Sequence, residues 1–242
     1  VEKQRFTADL KIFGGGFKVD RVIANMGGIA DEVALQMAQK IKAAGALFND
    51  TVINGDSAVD SKSFDGLEKA LKGSSTEYKP AAAIDLSTSE AVTKNFQAFL
   101  DALDEFLMTL DGKPSFIGGN TKLIAKLRAC ARRAGMYQVT KDSFGNQVES
   151  YGGIPFVDFG SKPGTNDDVV KTETTGETSL YAARIGLDGF HGISMAGQPP
   201  VKTWLPDFAT AGAVKEGEVE MIAAVALKAT KAAGVMRKIK VK

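Results

Sequence analysis

The chain has 242 residues, 44% of them hydrophobic and 24% charged, enough apolar material for one large core or two smaller ones and too much for a disordered chain. Thirty basic and 29 acidic side chains leave a net charge of +1, so the protein has no bulk field for gathering polyanions, and a nucleic-acid partner would be contained more than gripped. The single cysteine, Cys130, excludes an intramolecular disulfide framework, and the absence of a long apolar run or a basic leader disfavours membrane anchoring and secretion and fits a reducing cytoplasm.

The first residue, Val1, opens in the middle of a strand pattern, which predicts that the natural chain begins upstream. Residues Arg5 to Phe13, the triple glycine Gly14 to Gly16, and Phe17 to Ala24 read as strand, turn and strand, a candidate hairpin. After Gly27 and Gly28, apolar residues Ile29, Val33, Met37, Ile41, Ala44 and Phe48 recur every three or four positions. That spacing predicts a helix of roughly twenty residues, a rod on the order of 30 Å long. Asn49 to Ser63 is polar and turn-rich. A short helix bearing Phe64, Leu67 and Leu71 stops at Gly73, and a loop runs from Ser74 to Leu86.

Ser87 and Glu90 form a capping-box pattern for a core helix whose Val92, Phe96, Phe99, Leu103, Phe106 and Leu110 make one stripe ending at Gly112. Ser115 to Ile117 then lead through Gly118, Gly119 and Asn120 into a helix carrying Leu123, Ile124, Leu127 and Ala131, a strand-loop-helix unit that argues for an α/β core. From Met136 the period becomes two: Tyr137 and Val139, a turn at Phe144-Gly145-Asn146, then Val148 and Tyr151 predict a hairpin, followed by a buried strand from Ile154 to Phe159. Gly160 to Glu177 has the composition of a mobile exposed loop. Strands are predicted over Ser179 to Ile185, Val201 to Leu205, Val219 to Lys228 and Val235 to Val241.

No constellation of residues asks for catalysis, a cofactor or a metal. Gly118 to Lys122 invites a phosphate-loop reading, but the spacing fits neither GxxxxGK[ST] nor GxGxxG, and Asn120 as a helix cap is the simpler account. His191 is the only histidine, and Gly189, Gly192 and Ser194 around it read as a turn. Cys130 sits on an apolar helix face with no base identified nearby. Asp50, Asp56, Asp60 and Asp65 lack EF-hand spacing and read as loop caps. The basic runs Lys126, Arg128, Arg132, Arg133 and Lys231, Arg237, Lys238, Lys240, Lys242 lack interleaved aromatics for base stacking, so a solvated face or intersubunit ion pairs is preferred over DNA contact.

The order of segments resembles the major capsid proteins of tailed phages. The segments that carry the likeness are FTADLKIFGGGFKVDR at Phe6 to Arg21, the long helix, FNDTVINGDSAVDSKSFDGL at Phe48 to Leu67, KPSFIGGNTKLIAKL at Lys113 to Leu127, and YGGIPFVDFG at Tyr151 to Gly160. The resemblance implies an α+β capsid fold, also used by encapsulins: an extended-loop portion at 1–24, a peripheral domain at 25–59 and 186–231 built on the spine helix 29–48, and an axial domain at 60–185 and 232–242. It further implies pentamers and hexamers in an icosahedral phage head, assembled in the host cytoplasm around non-specifically packaged double-stranded DNA. Portal, scaffold, maturation protease and decoration proteins would be the other partners. An encapsulin-like compartment is the nearest alternative, and an α/β enzyme binding a phosphorylated ligand at 118–122 is the alternative of another class. A projecting hairpin cannot cover its own apolar face, so Phe6, Leu10, Ile12, Phe13, Phe17, Arg21 and Trp204 are the candidate subunit-interface residues.

Overall fold

The computed structural model describes residues 7–26, 31–141 and 147–242. Its first strand, β1 (Lys11–Asp20), passes straight through the triple glycine and leads into a short helix, α1 (Arg21–Asn25). The expected turn at Gly14 to Gly16 is therefore not formed. Gly14 and Gly15 take φ of 141° and 152°, and a Cβ on Gly14 would lie 2.0 Å from the carbonyl oxygen of Val219 on the neighbouring strand. The glycines permit close strand approach where a reversal was expected.

The long helix α2 runs Glu32–Asn54, capped by the Asp31 carboxylate on the amides of Val33 and Ala34. It continues six residues past the predicted end at Phe48. Its polar last turns are satisfied outside the helix: Asn49 Nδ2 donates to the Phe159 carbonyl and Asn54 Nδ2 to that of Val169. Ile29, at the expected start, lies outside the described residues.

A second group of elements follows: α3 (Leu67–Leu71), β2 (Glu77–Tyr78), β3 (Ile84–Asp85), α4 (Ser89–Met108), β4 (Phe116–Gly119), α5 (Thr121–Arg133), β5 (Gln138–Lys141), β6 (Gln147–Tyr151), β7 (Ile154–Asp158) and β8 (Glu177–Ala183). The chain then forms β9 (Phe190–Ser194), β10 (Val201–Trp204) and β11 (Val214–Leu227), and closes with β12 (Ala233–Lys240). The turn expected at 144–146 lies outside the described residues. Thr88, one residue beyond the predicted cap, accepts from the Ala91 amide at the start of α4, whereas Asn120 caps α5 as its position predicts.

These strands make two sheets. The larger has eight strands in the order β2-β12-β8-β4-β7-β6-β5, with β3 also pairing β12. One face is packed by α4 and α5 through Phe99, Leu103, Phe106, Leu123 and Leu127, none of them exposed. Burying each such side chain stabilises by about 1.5–3 kcal/mol relative to leaving it in water. The opposite face is covered by Ile53 of α2, Leu67 and Leu71 of α3, and by Phe159, Val169 and Val170. Part of the segment expected as a mobile loop is thus core, held by Lys162 N–H to Asp167 O and Val169 N–H to Gly160 O.

Alternation on β8 sends Leu180 and Ala182 to the α4/α5 core and Tyr181 and Ala183 to the other. On β12, Val235 and Met236 divide in the same way, but Met236 and Ile239 share a face because a bulge lies between them, with Lys238 at φ 58°.

The smaller sheet has four strands: β1 and β10 flank the outer half of β11, while β9 pairs its inner half. β9 replaces the turn expected around His191, which faces Ala226 across the ladder. α2 packs on one face of this sheet only.

Candidate assembly surface

The covered face of the small sheet is built from residues of one parity. Phe13 meets Phe48 of α2 and Phe64 in edge-to-face contacts with centroids 5.5 and 5.8 Å apart, and Phe48 meets Phe64 at 5.9 Å. Farther out, Phe17 lies over Gly217, where any Cβ would come within 2.4 Å of its ring. Val19 and Val219 complete this buried row.

Residues of the other parity face away from α2. Ile12 is 69% exposed and Trp204, directly opposite Glu218, is 47% exposed. Glu216, Glu218 and Glu220 alternate along β11 on this side, facing Lys18, Gly16 and Gly14 of β1. Lys18 Nζ lies 2.6 Å from Glu216 in an open ion pair. At the outer end Val22, Ile23, Met26, Leu205 and Val214 are exposed as well, with the Arg21 amide donating to Ala213 O. Among the described residues this is an apolar and acidic face with no cover from helix α2.

The seven expected interface residues therefore separate. Ile12, Arg21 and Trp204 are exposed, and Leu10 is half-buried against the Phe13 cluster. Phe13 and Phe17 are buried within their own chain, because β1 is a sheet strand under α2 and not a hairpin arm. Phe6 lies outside the described residues. Val22, Ile23, Met26 and the three glutamates lie at this surface without being among the expected residues. The alternation of Glu216, Glu218 and Glu220 against Gly217, Val219 and Met221 is the sequence signal for it, and a strand expected to begin only at Val219 misses it.

The other candidate groups have structural roles. Gly118 and Gly119 belong to β4, with partners on both sides; their bare faces admit the Phe159 ring and the Leu123 side chain. Asn120 is fully buried and accepts from Leu123 N–H at 2.9 Å while its amide donates to Val170 O, Thr172 Oγ1 and Thr178 Oγ1. No phosphate cradle is left at this turn, because both glycines pair within the large sheet and the Asn120 cap is fully engaged. Burial pushes the Cys130 thiol up to about 11, the reverse of nucleophilic activation. Asp56 and Asp65 hold Lys69 at 2.6 and 2.9 Å, and Asp60 caps the turn at Lys62 N–H. His191 Nδ1 is buried with no hydrogen-bond partner, and no cluster of three metal-ligating side chains occurs among the described residues.

The strongest polar cluster ties β12 to α3. Arg237 donates to Glu68 at 2.7 Å and Glu77 at 3.0 Å, and the Tyr181 hydroxyl donates to Glu68. Burial alone would raise the Glu68 carboxyl, but the bonds from Arg237 and Tyr181 outweigh it and hold it below its ordinary value. Burial opposes Glu77 similarly and is outweighed by Lys79, the Gly73 amide and Arg237. Burial and the bond to Glu68 push the Tyr181 hydroxyl far up.

A large mixed sheet filled from both sides, with a long helix reaching from it to a smaller sheet filled from one, is an architecture that recurs in solved capsid structures. Solved structures bear this out. An encapsulin complex from Synechococcus elongatus matches with 19% identity and a TM-score of 0.68, covering 96% of this chain and 75% of that one. The capsid of a native GTA particle matches at 15% identity and TM-score 0.54, covering 98% and 75%. Mycobacterium phage Bobi matches at 11% and 0.54, covering 95% and 72%. No protein-family model and no curated protein matches the chain. The protein has the capsid fold that phage heads and encapsulins share.

Proposed function

We propose that this protein is the major capsid subunit of a tailed phage, assembling as pentamers and hexamers into an icosahedral head around double-stranded DNA. The supporting observation is the correspondence, over nearly the whole chain, with the shells of phages and a GTA particle. The physical counterpart is the uncovered face of the small sheet, which copies of the same chain can shelter. In this reading β2 to β8 and β12 form the axial domain, and α2 with β1, β9, β10 and β11 the peripheral one. Portal, scaffold, maturation protease and decoration proteins are the expected partners, and the virion is the site of action. The shell does no chemistry on its contents.

The second reading, a compartment around protein cargo, is favoured by one observation: the Synechococcus elongatus encapsulin superposes with the higher TM-score, 0.68 against 0.54 for the GTA capsid. Negative-stain images of the purified full chain are expected to show closed shells. Nuclease-protected double-stranded DNA inside them supports the phage head; a defined protein with no protected DNA supports the compartment. A chain that stays monomeric at high concentration overturns both.

A further inference from the structure

The glutamates of β11 and the exposed side of α5 carry opposite charge on different parts of the same subunit. Glu216, Glu218 and Glu220 recur every second residue on the uncovered face, so their carboxylates stand about 7 Å apart along a strip of about 14 Å. Glycines sit opposite two of them on β1, Gly16 across from Glu218 and Gly14 across from Glu220, so no β1 side chain shields either carboxylate; on β10, Trp204 lies across from Glu218 and Lys202 across from the half-buried Glu220. Among the described residues only Glu216 of the three has an ion pair.

Helix α5, TKLIAKLRACARR, holds five basic residues and no acidic one. Three of the five are engaged: Lys126 donates to Ser87 O, Arg128 pairs with Glu149, and Arg133 donates to Ser89 Oγ. Lys122 and Arg132 are exposed and have no ion pair among the described residues. Ten residues separate them, about 15 Å of helix, which matches the length of the glutamate strip. Among the described residues no ion pair joins the strip and α5.

We propose that the carboxylate strip of β11 docks on the basic helix α5 of a second copy of this chain. The proposal rests on the shell reading and names the contact that sets its geometry. Strip and helix are different surfaces, so the contact runs head to tail and repeats from copy to copy, whereas a self-complementary patch would stop at a dimer. A head-to-tail contact can close a ring. Trp204 beside Glu218 offers an aromatic plane on which the guanidinium of the partner's α5 can lie, adding an attraction that lysine matches less well.

The test uses the full chain and three variants: E218K/E220K, K122E/R132E, and the four changes together. Circular dichroism melts check that each is folded, and sedimentation velocity with negative stain reads assembly. Each double variant is expected to lower the assembled fraction about tenfold or more, and the quadruple variant to recover it to within about twofold. Double variants that assemble as the parent does, or a quadruple variant that stays dissociated while folded, overturn the pairing and leave the shell reading standing. A parent chain that never assembles removes both.

Discussion

The two sheets of this protein differ in how they are completed. The eight-stranded sheet is filled on both faces by its own helices and by the 159–170 segment, so its stability is internal. The four-stranded sheet is filled on one face by α2 and leaves Ile12, Trp204, Glu216 and Glu218 exposed on the other. A chain can fold with one sheet face in water, but exposed aromatic and aliphatic groups in a row are the mark of a surface meant for contact. Mutations in the two regions should therefore separate stability from assembly.

The largest effect is expected at Phe106→Ala, which empties a fully buried site between α4 and the large sheet. It should cost about 3–5 kcal/mol in denaturant unfolding; a loss under about 1 kcal/mol would show that this core is not the stabilising unit. Next is Arg237→Ala, which strands the Glu68 and Glu77 carboxylates. We expect about 2 kcal/mol, below the ~3–5 of a fully buried pair because Glu68 still reaches water.

The sign of the pH effect follows from both carboxyls lying below their unfolded value of 4.5. Their contribution is fully present above that value and is lost as pH falls through the folded ones. Arg237→Ala should flatten that acid limb in thermal melts, and an unchanged limb would remove these carboxylates as its source.

Trp204→Ala sharpens the comparison from the other side. The isolated subunit should change by no more than about 0.5 kcal/mol, while sedimentation should show a clear fall in assembled material. An equal fall in unfolding stability would place Trp204 in the folding core. The smallest effect is expected at Asp65→Asn. Burial opposes ionisation there, but Ser57 and Lys69 hold the Asp65 carboxyl down at about 2, against 3.8 when unfolded. Its contribution is intact above 3.8 and is lost towards about 2. Because Asp65 is largely exposed, the parent and variant should differ by only a few tenths of a kcal/mol at neutral pH, converging in melts near pH 2.

Helices with spaced apolar rows were legible from the sequence: α4 and α5 stand almost where Val92 to Phe106 and Leu123 to Ala131 place them. What depended on partners far along the chain was not. Three consecutive glycines fit a turn as well as a strand, and the choice is made by β11, some 200 residues later, whose Val219 carbonyl needs the bare Cα of Gly14. Glycines at 189 and 192 hid β9, although the strand requires only that its amides meet Ala224 and Ala226. Polar Asn49 and Asn54 looked like the start of a loop because their carbonyl partners lie in the 159–169 segment. At the surface, apolar residues could be named as candidates, but which parity of β1 meets α2 is a tertiary fact. That parity sent Phe13 and Phe17 inward and Ile12 outward.

The bulge at Lys238 sets the phase of the end of β12. Strand parity alone would carry Lys238 and then Lys240 into the α4/α5 core after Met236, two ammonium groups in an oily interior. One surplus residue, accommodated by a left-handed backbone at Lys238, shifts the phase so that Ile239 and Val241 arrive there instead. Deleting Lys238 would straighten the strand and still leave Ile239 and Val241 on the core side, because Ile239 would then follow Met236 by two residues; inserting a further residue there would instead turn both outward.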